Sequence, residues 1–394
     1  MKRSFFMARA FTGRRIAFVA SAGVLALGLA ACGGSSDSGS SSSAAPESSS
    51  AAPESSSAAP APSEPVKVTL ITKDSTNPFF VAMQEGAKEA AAAQGVELTI
   101  ASGKEEGDDQ GQIDAIEQAI ARGDAGILIT PMSVNVNAAI EQARAAGLYV
   151  IALDTPTDPP DVVDITFATD NCLAGQAIGE WAAGWLNGEK ATIAELVIFD
   201  DRVVSVDYCR ANGFLQGMGV EVPTLEDMAS PAKSGTYSTG AGGDYEIACL
   251  EATGANEEGG RAGMEKCLAA NPDINVVYTI NEPTAFGAAE ALKAAGKTIG
   301  EDVIIVSVDG GLAGVEAVKA GEIQATSQQY PLLMASLGVE AIATIAGGGA
   351  PPENTSANGQ FFDTGVKLCT DMPMDTVVSA EQWTAQQCID NAWG

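Results

Sequence analysis

The chain is 394 residues long, 46% hydrophobic and 18% charged, with 51 Asp and Glu against 21 Lys and Arg for a net charge of −30. Such acidity excludes nucleic acid as a partner, because binding its phosphates requires a basic surface. The sequence contains no histidine, which removes Ser-His-Asp and Cys-His devices, the commonest general base and the commonest metal ligand.

Residues 1–31 have the anatomy of an export signal: five basic residues (Lys2, Arg3, Arg9, Arg14, Arg15), no acid, and an apolar stretch over 16–31. That stretch is short for a permanent helix through about 30 Å of hydrocarbon. It closes on Leu29-Ala30-Ala31-Cys32, a lipoprotein cleavage pattern. The mature chain is therefore expected to begin at a lipidated Cys32, extracytoplasmic and tied to the cell membrane through the lipid alone. Residues 32–65 are almost all Ser, Ala, Pro, Gly and Glu, cannot bury a core, and read as a disordered tether.

About 330 residues remain, enough for two lobes at roughly 100 to 200 residues per domain. Apolar, β-rich runs alternate there with helical patterns, the signature of parallel βαβ units. Strands are expected over 66–71, 96–101, 126–130 and 149–153, with helices over 78–94 and 110–122 and another before 149. A second set follows Asp170: helix 173–187, strand 192–199, a helix near 208–218, strand 245–250, helix 261–270, strand 275–279, helix 284–295 and strand 303–308. Residues 220–244, rich in Gly, Ser and Pro, read as an insertion or loop. Strands that are apolar on both faces require helices on both sides, so the fold class is α/β with two parallel sheets.

Six cysteines follow Cys32, an even number in an exported chain, and none forms a C-x-x-C pair. Spacing suggests Cys249 with Cys267 and Cys369 with Cys388, leaving Cys172 for Cys209, among fifteen possible connectivities. Without histidine or close cysteine pairs no metal site is expected, and no cofactor is called for.

Ligands of open parallel sheets sit beyond the carboxyl ends of the strands. The residues expected there are Lys73 to Phe80, Thr130, Asp154-Thr155, Asp170-Asn171, Arg210, Asn281-Glu282, Asp309-Gly310-Gly311 and Gln328-Gln329. The glycine run at 240–243 lacks the lysine of a phosphate-binding loop. Amides, carboxylates, one guanidinium and two phenylalanines suit a sugar, whose hydroxyls donate and accept while an aromatic ring covers its C–H face. Singly, each has an ordinary structural explanation: Phe79 and Phe80 as core, Asp154, Asn281 and Asp309 as caps or turn residues, Arg210 as a surface ion pair. Trp181 and Trp185, four apart on a helix, read as core.

Together, and in order, Lys73, Asn77-Pro78-Phe79-Phe80, Asp154-Thr155-Pro156, Thr169-Asp170-Asn171, Asn281-Glu282-Pro283, Asp309-Gly310-Gly311, Gln328-Gln329-Tyr330-Pro331 and the closing Trp393-Gly394 resemble the ribose-type (type I) periplasmic sugar-binding proteins of ABC importers, most of all their fructose-binding branch. The resemblance implies two similar lobes joined by a three-stranded hinge, one from 66–169 plus 330–361 and the other from 170–329 plus 362–394. It implies a monomer that captures a monosaccharide and delivers it to a permease and ATPase complex. Asn77, Phe79, Phe80, Asp154, Asn171, Arg210, Asn281, Asp309 and Gln329 are the implied ligand contacts. Where the ribose-type pattern has Asn, Arg and Phe, this chain has Thr130, Thr155 and Ala255, and the extra room favours a ketohexose such as fructose over ribose. A surface glycosidase using Asp154 and Asp309 as paired carboxylates is the rival from another class, and a ligand-presenting partner of a sensor receptor is a third reading. A repressor of related fold is disfavoured by the export signal and by the lack of a DNA-binding headpiece before residue 66.

Overall fold

The computed structural model describes residues 64–225 and 231–393. The export signal, Cys32, nearly all of the tether and Gly394 lie outside the described residues.

The first sheet opens with β1 (Lys67–Thr72), α1 (Pro78–Gln94), β2 (Glu97–Ser102), α2 (Asp109–Arg122), β3 (Gly126–Ile129), α3 (Asn137–Ala145), β4 (Tyr149–Leu153) and β5 (Ile165–Ala168). The second comprises α4 (Asn171–Leu186), β6 (Ala191–Val197), α5 (Ser205–Gly217), β7 (Ser234–Tyr237), β8 (Gly243–Ala252), α6 (Glu257–Ala270), β9 (Val276–Thr279), α7 (Glu282–Ala294), β10 (Ile304–Asp309), α8 (Leu312–Ala320) and β11 (Ala325–Gln328). The chain returns to the first sheet through α9 (Pro331–Ala346) and β12 (Phe362–Asp363), then crosses back to β13 (Lys367–Cys369), β14 (Glu381–Trp383) and α10 (Ala385–Asp390).

Strand order is β12-β5-β4-β3-β1-β2 in the six-stranded sheet and β14-β13-β11-β10-β9-β6-β8-β7 in the eight-stranded one. All pairings are parallel except β11 with β13 and β7 with β8. The chain passes between sheets after β5, β11 and β12, which makes the three-stranded hinge. Phe362 and Asp363 pair with Phe167 and Ala168, so these two residues lie on the first sheet, whereas the resemblance assigned them to the second lobe.

Alternation along each strand sends side chains to opposite faces. Leu70, Leu128 and Ile151 pack under α1 and α9, while Ile71, Ile127 and Val150 pack under α2 and α3. The second sheet is likewise apolar on both faces. Trp181 is fully buried in that core, and Trp185 packs against it. Helix starts are fixed by side-chain caps: Asn77 accepts from the Phe79 N–H, Asp170 from Leu173 and Asn281 from Thr284.

The loop expected over 220–244 is only partly a loop. β7 lies inside it as a short edge strand, antiparallel to β8. Its sequence, Ser-Gly-Thr-Tyr, lacks the apolar alternation that marks a strand, because one neighbour and an exposed edge ask for none.

Three disulfides join Cys172 to Cys209, Cys249 to Cys267 and Cys369 to Cys388, with Cα atoms 4.4, 5.5 and 6.0 Å apart. The first ties the start of α4 to α5. Glycines set the approach of these two helices: a Cβ on Gly175 would lie 2.2 Å from the Arg210 carbonyl oxygen, and one on Gly213 would lie 2.2 Å from that of Cys172.

Candidate ligand-binding site

Arg210 is carried on α5 into the cleft between the sheets and is almost wholly buried. Its Nε donates to Asn171 Oδ1 at 2.7 Å and its Nη1 to the Ile280 carbonyl at 3.0 Å. Asp154 Oδ1, from the end of β4, lies 3.5 Å from Nη2, and Asp309 Oδ1, at the end of β10, lies 3.7 Å from Nη1. One guanidinium is thus held between carboxylates that belong to different lobes.

Both carboxylates sit on unusual backbone. Asp154 has φ 62° and Asp309 φ 135°, values that side chains other than glycine rarely adopt. The surroundings hold them there. Asp154 N–H donates to the Phe167 carbonyl and its Oδ2 accepts from the Thr155 hydroxyl at 2.8 Å. Asp309 Oδ1 accepts from Gln329 Nε2 at 3.0 Å, and its carbonyl accepts from the Trp393 indole N–H at 3.1 Å. Behind it the buried Glu282 carboxyl accepts from Gly310 N–H, Gly311 N–H and the Thr326 hydroxyl, clamping the turn that follows β10. Burial holds the Asp309 and Glu282 carboxyls above the usual carboxylate range, with Arg210 opposing the shift at Asp309.

Phe79 and Phe80 pack edge to face at 5.6 Å, and Phe79 meets the Trp393 ring edge-on at 6.1 Å. Both phenylalanines belong to the core under α1 and also line the cavity, so the structural and the binding readings of the pair hold together. The same is true of Asn281, which caps α7 with its oxygen while its Nδ2 donates to the Ala255 carbonyl.

These groups converge on a cavity of about 30 Å³, lined by Asn77, Phe79, Phe80, Asp154, Arg210, Asn281 and Asp309 among the residues expected from sequence. Asn171 and Gln329 do not line it. Asn171 braces Arg210 and the Asp154 carbonyl, and Gln329 braces Asp309. Six residues outside the expected contact set also line it: Ile198, Val206, Ala255 and Ile280, and two charged ones, Lys73 after β1 and Glu106 before α2, whose charged atoms lie 3.2 Å apart. Lys73 stood in the polar run after the first strand. Glu106 follows Glu105 in an acidic loop, and nothing in the sequence separates it from a solvated charge.

The lobes touch across the cleft. Ser205 Oγ donates to the Pro156 carbonyl at 2.6 Å, and Arg202 Nη1 to that of Gly107 at 3.4 Å. A larger crevice of about 400 Å³ lies beside the hinge next to the Cys172–Cys209 bridge, but Arg210, Asp154 and Asp309 face the small cavity instead. Among the described residues no group of three or more metal-binding side chains occurs, and no helix is long and apolar enough to cross a membrane.

A family model described as a periplasmic binding protein domain matches residues 68–350. The chain belongs to the periplasmic binding protein family. Among curated relatives, the ribose import binding protein of Salmonella typhimurium is 28% identical over 274 residues, 69% of this chain and 82% of its own length. The D-apiose import binding protein of Actinobacillus succinogenes is 30% identical over 265 residues, 66% of this chain and 76% of its own. Among solved structures, a galactofuranose binding protein matches with a TM-score of 0.67 at 23% identity, covering 83% of this chain and 98% of that one. The resemblance to ribose-type periplasmic sugar-binding proteins and the type I fold read from the sequence both hold, without singling out a fructose-binding branch, and the curated relatives are import binding proteins, not enzymes.

Proposed function

We propose that this binding protein captures a monosaccharide between its lobes and delivers it to the permease and ATPase of an ABC importer, from a lipid anchor at Cys32. The observation that carries this reading is Arg210 suspended between Asp154 of one lobe and Asp309 of the other. Carboxylates accept from sugar hydroxyls, the guanidinium donates to their neighbours, Asn77 and Asn281 can do both, and Phe79 and Phe80 offer an apolar wall. Because the donors and acceptors come from both lobes, only the closed arrangement makes every contact, so ligand shifts the equilibrium toward closure. The permease reads that closed form.

A glycosidase built on Asp154 and Asp309 is disfavoured, since the Arg210 guanidinium stands between them, 3.5 Å from Asp154 Oδ1 and 3.7 Å from Asp309 Oδ1. For the ligand we favour a ketohexose such as fructose. Ala255 lines the cavity where the ribose-type pattern has a phenylalanine, and Thr155 turns its hydroxyl to Asp154 where that pattern has an arginine.

Calorimetric titration with pentoses, hexoses and polyols tests the proposal. We expect a hexose to bind most tightly, Asp154→Asn, Arg210→Met and Asp309→Asn each to weaken it at least tenfold, and Ala255→Phe to shift preference toward pentoses. A buried hydrogen-bonded charge left unpaired costs about 1 to 3 kcal/mol or more, which sets that tenfold floor. Ribose binding at least tenfold tighter than every hexose would remove the ketohexose assignment. Wild-type affinity in all three cleft variants would remove the site.

A further inference from the structure

The crevice beside the hinge, about 400 Å³, shares no lining residue with the cavity built around Arg210. Its size is that of a small-molecule site, about 300 to 1,000 Å³. Both lobes wall it: Thr157, Asp158, Thr166 and Phe361 come from the first, Asp170 and Tyr208 from the second. Thr157 and Thr166 are 6% and 3% exposed, and Thr157 Oγ1 has no hydrogen-bond partner among the described residues. Buried hydroxyls are ordinarily paired, because one left alone has given up its bonds to water for nothing. The Tyr208 and Phe361 rings add apolar surface. Charge narrows the ligand class further. Among the described residues no lysine or arginine lines the crevice, whereas Asp158 and Asp170 do, so an anion is disfavoured. One Asp170 oxygen is already spent on capping α4, where it accepts from Leu173 N–H. The first turns of α4 and α5 border the same space, and the positive ends of their dipoles offset the acids, so a cation gains little either.

We propose that this crevice is a second ligand site, for a neutral polyhydroxy compound, that bridges the lobes beside the hinge. A ligand hydroxyl both donates and accepts, so it completes the Thr157 and Thr166 hydroxyls and donates to Asp158. The apolar C–H face of the same molecule lies on the Tyr208 or Phe361 ring. Occupancy has a consequence for the first cavity. A molecule held by both walls favours the arrangement in which the lobes meet, the one that brings Asp154 to Arg210, so the two sites reinforce each other reciprocally. The second site does not depend on the sugar-binding reading above; the reinforcement rests on it.

Sorbitol and myo-inositol are the probes, with gluconate and glucosamine as anionic and cationic controls, titrated by calorimetry into the full chain carrying Arg210→Met, which disables the first cavity. One neutral probe should bind with one-to-one stoichiometry, at least tenfold more tightly than either control. Adding Thr157→Val and Thr166→Val should weaken that probe at least tenfold without lowering the thermal unfolding temperature, because valine keeps the shape and removes an unpaired hydroxyl. Gln360→Trp, at an exposed position on the rim, should fill the crevice and abolish probe binding while leaving the monosaccharide affinity of the first cavity unchanged. In the unchanged protein a saturating probe should tighten monosaccharide binding at least threefold, and Gln360→Trp should erase that gain. Should Arg210→Met not fold, Asp309→Asn takes its place. The second site is overturned if neither probe binds the Arg210→Met chain, if binding survives both crevice variants, or if a charged control binds more tightly. A neutral probe that only competes with the monosaccharide belongs to the first cavity and overturns it equally. An unchanged protein that binds no monosaccharide is a separate result: it overturns the sugar reading and the reinforcement, and the second site is then decided by the probe titrations alone.

Discussion

Glu195 shows what a single buried acid does to this protein away from the ligand. It sits on β6 almost wholly buried, with Oε1 unpaired, and burial, followed by the nearby Asp207 charge, pushes its carboxyl from 4.5 up to about 8. The folded chain then holds a proton that the unfolded chain releases, so the associated stability is complete below 4.5 and lost as pH rises through about 8. Urea midpoints measured from pH 5 to 9 should fall across that window, and Glu195→Gln should flatten the fall. An unchanged slope in the variant would place the dependence elsewhere. Residues of this kind were invisible in the sequence, where an acid inside an apolar strand carries no mark of its partner. Asp154 and Asp309 were visible because each stands at a strand end, where open parallel sheets place their polar contacts, whereas Arg210, inside α5, was legible only through the family resemblance.

At the level of elements, the pair α4 and α5 does the positioning. Their glycines let backbone meet backbone, and Gly175 faces the carbonyl of Arg210 itself. Gly175→Ala should therefore cost about 1 to 3 kcal/mol as an overpacked contact and also weaken ligand binding, since the displaced segment carries the guanidinium. Gly213→Ala, whose Cβ would meet Cys172, should destabilise with a smaller effect on affinity. Denaturant midpoints and titration of the two variants separate these outcomes; equal losses of affinity would show that Gly175 has no special hold on Arg210.

Most elements up to the strand at 303–308 were legible where apolar side chains alternate or recur, while α8, α9 and the elements after them were not assigned, although apolar side chains recur along α9. β11 was not legible, for a definite reason: its sequence is Ala-Thr-Ser-Gln, yet all four residues are buried. Thr326 bonds Glu282, Ser327 bonds the Ala174 carbonyl and Gln328 bonds the Gly310 carbonyl. A strand whose polar groups are spent on internal hydrogen bonds hides from any reading based on hydrophobic pattern. β5 was missed through brevity, four residues behind a proline-rich turn.

For the whole molecule, the topology restricts how the lobes can move. Three connections cross between the sheets, so relative motion is a hinge bend about the segments after β5, β11 and β12, not a free rotation. The lobes touch through Ser205 with Pro156 and Arg202 with Gly107 around a cavity of about 30 Å³, so on the proposed function a sugar is expected to enter as that hinge opens. Export and anchoring belong to this scale too. Cys32→Ser should move the protein from the membrane fraction to the soluble one without altering ligand affinity, because the cleft residues all lie beyond residue 70. Unchanged membrane association would locate the anchor elsewhere.

Trp393 gives the closed state an intrinsic optical signature. Its indole is bound to Asp309 of the second lobe while its ring rests on Phe79 of the first. When the hinge opens, that ring exchanges an aromatic neighbour for water, and its emission moves to longer wavelength. Trp181 and Trp185 in the second core and Trp383 on β14 all belong to the second lobe and keep their surroundings within it, so the change is expected from Trp393. The penultimate residue of the chain is in effect a built-in fluorophore for lobe closure, readable without a dye and in the native sequence.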